Sequence, residues 1–142
     1  MSVDLSIPVL VVEDMSAMGR IIWGLLKQVG FRHVDVVPGG FSAVTRLKSS
    51  WYGLVISDWR MRPVSGLDLV KQIRADKGLA ATRFIMMMEA SSTELASEAK
   101  DAGVDGFISK PFTALSLKNE IDRVFEETRT TTRDSYNIII AA

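Results

Sequence analysis

Three acidic residues and one lysine stand where apolar runs end. Val9-Leu10-Val11-Val12 leads into Glu13-Asp14, Leu54-Val55-Ile56 reaches Asp58 after a single serine, and Gly106-Phe107-Ile108-Ser109 leads into Lys110. If these ends meet, three carboxylates and one ammonium share a small site. Crowded carboxylates repel unless a proton or cation compensates, and a hard divalent ion such as Mg²⁺ binds one or two of them while keeping waters that a phosphate can replace. With such an ion and Lys110 spreading charge over phosphoryl oxygens, Asp58 is suited to attack a phosphoryl donor in line and become an acyl phosphate. A lone Asp at such a position is an ordinary cap or turn former, so the reading rests on the convergence of all four residues.

The elements that must position them alternate along the chain. Ile7 to Val12 is β-rich, with Pro8 tolerated only near its start. Met18, Ile21, Ile22, Leu25, Leu26 and Val29 then recur at helical spacing before Gly30. Val34, Val36 and Val37 predict a second strand, Phe41, Val44 and Leu47 the stripe of a second helix, and Leu54 to Asp58 a third strand buried on both faces. Leu67, Val70 and Ile73 mark a third helix, Phe84 to Met88 a fourth strand, and Leu95, Ala99 and Ala102 a small-residue helix stopped by Gly103. A fifth strand, Gly106 to Ser109, precedes a last amphipathic helix carrying Leu117, Ile121, Val124 and Phe125.

This alternation with short connections predicts an α/β fold, a doubly wound parallel sheet of five strands with five helices on its two faces. In such a sheet the right-handed connections bring the carboxyl ends of the strands to one edge, where ligands bind. Glu13, Asp14, Asp58 and Lys110 are therefore expected to meet. Residues 1–127 form one domain, and residues 128–142 a tail.

Composition narrows the function. The 142 residues suit one core burying roughly two-thirds of the unfolded surface. Seventeen basic and 17 acidic residues give a net charge of +0, which offers no footprint for nucleic acid or an anionic membrane. There is no cysteine, hence no disulfide framework or thiolate chemistry, and neither a signal peptide nor a membrane span is evident. A cytoplasmic protein is expected. His33, the single histidine, lies at a strand start away from the acidic edge and is not expected to donate phosphate or bind metal. Met86-Met87-Met88 reads as core packing on both faces of a strand, since no His or Cys accompanies it to make a copper site.

Glu13-Asp14, Ser57-Asp58-Trp59, Gly66 and Lys110-Pro111-Phe112 resemble the receiver domain of bacterial response regulators, especially the stand-alone (CheY-like) chemotaxis regulators, over residues 7 to 127. The resemblance implies the flavodoxin-like strand order 2-1-3-4-5. It implies Asp58 as phosphoacceptor, Glu13 and Asp14 as the metal-binding acidic pair, Lys110 as the phosphoryl-contacting lysine, and the backbone carbonyl of Arg60 as a further Mg²⁺ ligand. It places Phe107 at an aromatic switch position. The implied partners are a histidine kinase or phosphotransfer protein and a downstream protein target held at about Thr93 to Glu127.

Three departures from the family pattern stand near the acceptor. Met88 occupies the switch position of a Thr or Ser whose hydroxyl turns toward the phosphoryl group, and a thioether cannot donate a hydrogen bond. Glu89, which follows, replaces a small residue and is a possible gate over the site through pairing with Arg60 or Arg62. Arg62 itself stands where most members have Pro, with Pro63 one residue later, so a different loop path is expected.

The expected function is a single-domain response regulator of a two-component phosphorelay, a phosphoprotein that takes a phosphoryl group on Asp58 and changes its affinity for a partner. Such a protein catalyses its own phosphorylation and dephosphorylation and is not a turnover enzyme. No output domain is expected. An atypical receiver that binds partners without phosphorylation is the alternative that Met88 raises. A haloacid-dehalogenase-like phosphatase would need a second acid two residues after the nucleophile, where Arg60 stands. Tyr136 to Ala142 is uncharged and β-prone, suited to docking or association, beyond a polar Thr-rich linker.

Overall fold

The structure, a computed structural model, describes residues 3–89 and 93–126. Strands β1 (Val9–Val12), β2 (Val34–Val37), β3 (Leu54–Asp58), β4 (Arg83–Glu89) and β5 (Gly106–Lys110) alternate with helices α1 (Ser16–Val29), α2 (Gly40–Ser49), α3 (Gly66–Ala75) and α4 (Thr93–Ala102). A fifth helix, α5, covers residues 114–126. All strand pairings are parallel and the order is β2-β1-β3-β4-β5. Both the expected strand order and the doubly wound architecture are present.

Strict alternation along the strands builds two cores. Leu10, Val12, Val55, Phe84, Met86 and Met88 point toward the face covered by α2, α3 and α4, where Leu47, Leu69, Val70, Ile73 and Ala99 meet them. Val9, Val11, Leu54, Ile56, Ile85, Met87 and Ile108 point to the other face, against Ile22 and Leu26 of α1 and Leu117, Ile121 and Val124 of α5. The methionine run thus divides between the two buried faces, as a period of two requires.

Two apolar positions lie outside the stripes expected for them. Ile21 is 56% exposed and Phe41 is 67% exposed. On α1 the neighbour Ile22 takes the inward place. On α2 the inward places belong to Gly40, Ala43 and Leu47, and Gly40 lies so close to Val64 that a Cβ there would come within 2.5 Å of its Cγ1. Close approach of the helix to the β3–α3 loop fixes the phase of α2 and turns Phe41 outward.

Side chains from the helices close the two edge strands. The Trp23 indole N–H donates to the Val34 carbonyl of β2 at 3.2 Å, and the Glu120 carboxylate accepts from the Phe107 N–H of β5 at 2.8 Å. Arg74 ties the opposite ends of β4 and β5 together. It donates to the Gly103 and Thr82 carbonyls and pairs at 3.0 Å with Asp105, which also accepts from the Phe84 N–H. No helix among the described residues is long and apolar enough to cross a membrane.

Candidate active site

Each site residue stands at the end of its strand. Asp58 is the last residue of β3, Lys110 the last of β5, and Glu13 and Asp14 directly follow β1. The Glu13 N–H donates to the Val37 carbonyl at 3.0 Å, which prolongs the β1–β2 ladder to the point where the acids begin. The Ser57 hydroxyl donates to the Asp58 carbonyl at 3.0 Å. Beyond Asp58, the Trp59 N–H donates to Met87 and the Gly66 N–H to the Trp59 carbonyl. Gly66 begins α3 so close to the strand that a Cβ would overlap the Asp58 carbonyl oxygen and lie 2.7 Å from the Met86 sulfur. Only glycine lets α3, opened by a Ser65–Asp68 capping box, start there.

The four charged groups are brought together. Lys110 Nζ lies 2.9 Å from Asp58 Oδ1 and 3.4 Å from Glu13 Oε1. Carboxylate oxygens of Glu13, Asp14 and Asp58 lie within 4.8 Å of one another. Glu13 is 1% exposed and Asp58 8%, whereas Asp14 faces solvent. Burial, followed by the charge of Asp58, pushes the Glu13 carboxyl up to about 7. Burial draws the Lys110 ammonium down, but the hydrogen bond and charge of Asp58, with the charge of Glu13, outweigh it and raise Lys110 above its usual range.

These residues fit a hard divalent cation. Once Glu13 gives up its proton, three carboxylates against one ammonium leave two negative charges, and Glu13 Oε2 is buried with no hydrogen-bond partner among the described residues. An all-oxygen donor set with one open solvent side suits an ion that retains waters.

A cleft of about 280 Å³ opens over the cluster, lined by Asp14, Met15, Asp58, Trp59, Arg60, Met88, Glu89 and Lys110. Met88 is 5% exposed and belongs to the core against which Phe107 also packs, so the two residues expected at switch positions lie on the same face of the sheet. Glu89 and Arg62 are exposed, and Glu89 forms no ion pair with Arg60 or Arg62 among the described contacts. Met61 and Val64 are buried and anchor the loop that carries Arg62 and Pro63. Exposed His33 lies at the other end of the sheet, where its carbonyl accepts from Val9.

Sequence reasoning did not single out Met15, 62% exposed beside the cleft. Its place directly after the acidic pair was the available signal.

The response regulator receiver domain family matches residues 9–122. The chain belongs to the response regulator receiver family. It is 40% identical over 118 residues to the chemotaxis protein CheY-3 of Vibrio cholerae, covering 83% of this chain and 91% of that one. It is 36% identical to the chemotaxis protein CheY of Pseudomonas aeruginosa, covering 83% and 95%. Among solved structures, V. cholerae CheY4 superposes with a TM-score of 0.78 at 26% identity, over 84% of this receiver and 98% of that chain. The receiver domain of the sensor histidine kinase PA1611 of P. aeruginosa, solved with a magnesium ion coordinated in its active site cleft, shares the fold at a TM-score of 0.74 and 24% identity, over 83% and 95%.

Proposed function

We propose that this receiver is a phosphorylation switch, with Asp58 as the acceptor. The observation that carries the reading is the 2.9 Å contact of Lys110 with Asp58 inside a cluster of three carboxylates. In the proposed step, an Asp58 carboxylate oxygen forms a bond to phosphorus as the P–N bond of a phosphohistidine breaks, and the imidazole nitrogen keeps the bonding pair. The donor is a histidine kinase or phosphotransfer protein.

Lys110 neutralises the acceptor before transfer and remains within reach of the phosphoryl oxygens afterwards. Glu13, Asp14, Asp58 and the Arg60 carbonyl would hold Mg²⁺, which supplies charge neutralisation for the transferring group. Asp58 is modified and regenerated within one molecule, so the protein works in the cytoplasm as a signal carrier and not as an enzyme turning over an external substrate. The relatives named for chemotaxis support a CheY-like role in which phosphorylation changes affinity for a protein target. The surface offered to that target is α4, β5 and α5, about Thr93 to Glu127, of which Glu127 lies outside the described residues. The assembled acceptor, lysine and acidic cluster weigh against partner binding independent of phosphorylation.

The test is phosphoryl labelling from a kinase or small donor in the presence of Mg²⁺. Hydroxylamine-sensitive label on the wild type and none on Asp58→Asn is the expected result. Label that persists on the variant would sink the assignment.

A further inference from the structure

Between α1 and the edge strand β2 runs a groove of about 510 Å³, lined by Arg20, Trp23, Val34, Val36 and Pro38 among others. Its floor is apolar. Trp23 is 44% exposed and Val36 37%, and Val36 lies on the α1 face, where a Cβ at Gly19 would come within 2.9 Å of its Cγ1. On β2 the His33 and Val37 carbonyls accept from Val9 and Glu13 on the β1 side, so alternation turns the N–H and C=O of Val34 and Val36 outward. The Trp23 indole takes the Val34 carbonyl. Both backbone groups of Val36 and the Val34 N–H stay without a partner among the described residues, the condition of a strand edge that can be extended.

Arg20 sets the charge of the groove. The acids around it are held elsewhere: Glu13 is buried against Lys110, Asp14 belongs to the acidic cluster, and Asp35, on the α2 face of β2, accepts from Tyr52 and pairs with Arg46. Arg20 is exposed and forms no ion pair among the described residues. A guanidinium beside an apolar shelf and an open strand edge suits a carboxylate on an extended chain.

We propose that this groove docks an extended segment of a partner protein. The segment adds to β2 through Val36, rests an aliphatic side chain on Trp23 and Val36, and sets a carboxylate on Arg20. An antiparallel second copy keeps its Asp35 on the α2 face and brings no carboxylate to Arg20, so the partner is a different protein. The tail at residues 128–142, expected to dock or associate, lies outside the described residues. Asp14 lines both this groove and the cleft at Asp58, and β2 is at the opposite edge of the sheet from β5. A protein held here therefore stands beside the acidic cluster and leaves α4, β5 and α5 free.

Selection of a displayed library of short random peptides on the full-length protein and on Arg20→Glu tests this. The wild type should enrich segments that alternate aliphatic residues and carry one carboxylate, and Arg20→Glu should enrich lysine or arginine at that place. The peptide selected on the wild type should move the Val36 amide downfield in NMR, slow its hydrogen exchange several-fold with amides in 47–53 unchanged, and bind Arg20→Glu several-fold more weakly. No enrichment on the wild type, the same sequences on both proteins, or a bound peptide that leaves Val36 unprotected would overturn the proposal. Should Arg20→Glu lose its fold, Arg20→Gln gives the decision, since it removes the charge alone and should lose the preference for a carboxylate. A doubled sedimentation mass of the wild type that the Arg20 variant abolishes would assign the groove to a second copy and overturn docking of a different protein.

Discussion

Lys110 and Asp58, 52 residues apart in the chain, meet ammonium to carboxylate at 2.9 Å, and the same ammonium lies 3.4 Å from Glu13. One cation therefore serves two buried acids while Asp14 adds a third carboxylate within 4.8 Å.

That imbalance predicts that Asp58→Asn stabilises the metal-free protein even as it removes the acceptor. At pH 8 the substitution relieves repulsion from Glu13 and Asp14 and gives up one attraction to Lys110, a net gain of roughly 1 kcal/mol. The melting temperature should rise by about 3 to 5 °C in buffer with a metal chelator. Calorimetry showing a lower melting temperature would mean that the ion pair outweighs the repulsion.

Mg²⁺ binding should release a proton near neutrality. A Glu13 carboxyl raised to about 7 holds its proton in the folded, metal-free protein at pH values where an unfolded carboxyl is ionised. Metal-free stability should accordingly increase as pH falls through 7 toward the unfolded value, because the folded state binds the extra proton. Mg²⁺ and the proton compete, so metal affinity should weaken as pH drops from 8 to 6. Trp59 fluorescence titrations at several pH values report it, and Glu13→Gln should flatten the profile. A wild-type affinity independent of pH over that range would contradict the assignment of Glu13 as a ligand.

Gly66→Ala should displace the acceptor. The added methyl meets the Asp58 carbonyl oxygen, a backbone atom that cannot swing aside, so α3 or the end of β3 must shift. Overpacking of this kind costs about 1 to 3 kcal/mol. Urea unfolding should show the loss, and phosphoryl labelling of Asp58 should slow by more than the folded fraction explains. Unchanged labelling kinetics would show that the acceptor tolerates the shift.

Met88→Thr should trade packing for signalling. Shortening a side chain that is 5% exposed costs about 1 to 3 kcal/mol, but the new hydroxyl stands on the cleft wall beside Asp58, able to donate to a phosphoryl oxygen. The conformational response of Phe107 to beryllium fluoride with Mg²⁺, followed by NMR, should grow. A wild-type response already complete, with nothing added by threonine, would end the idea that Met88 weakens coupling.

Much of the site was legible because strand ends can be read from where apolar runs meet charges. Glu13, Asp58 and Lys110 each follow such a run, and parallel topology leaves them no other edge. The strand order itself came from the resemblance, since alternation alone does not say which strand lies beside which. Helix phase was less legible. Ile21 and Ile22 are adjacent and equally apolar, and only packing against β2, where Gly19 closes on Val36, decides that Ile22 goes inward. Leu69, fully buried on α3, escaped the stripe read from Leu67, Val70 and Ile73 for the same reason. The Arg74 hub was invisible because its partners lie 6 to 31 residues away in sequence.

The edge contacts of Trp23 and Glu120 have a meaning for crowding. Outer strands of an open sheet are ready templates for one another, so every collision between two copies is a chance for sheet-to-sheet pairing. By spending an indole and a carboxylate on Val34 and Phe107, the protein withdraws one backbone group at each rim from that contest. Each rim then offers a neighbouring sheet one ladder position fewer.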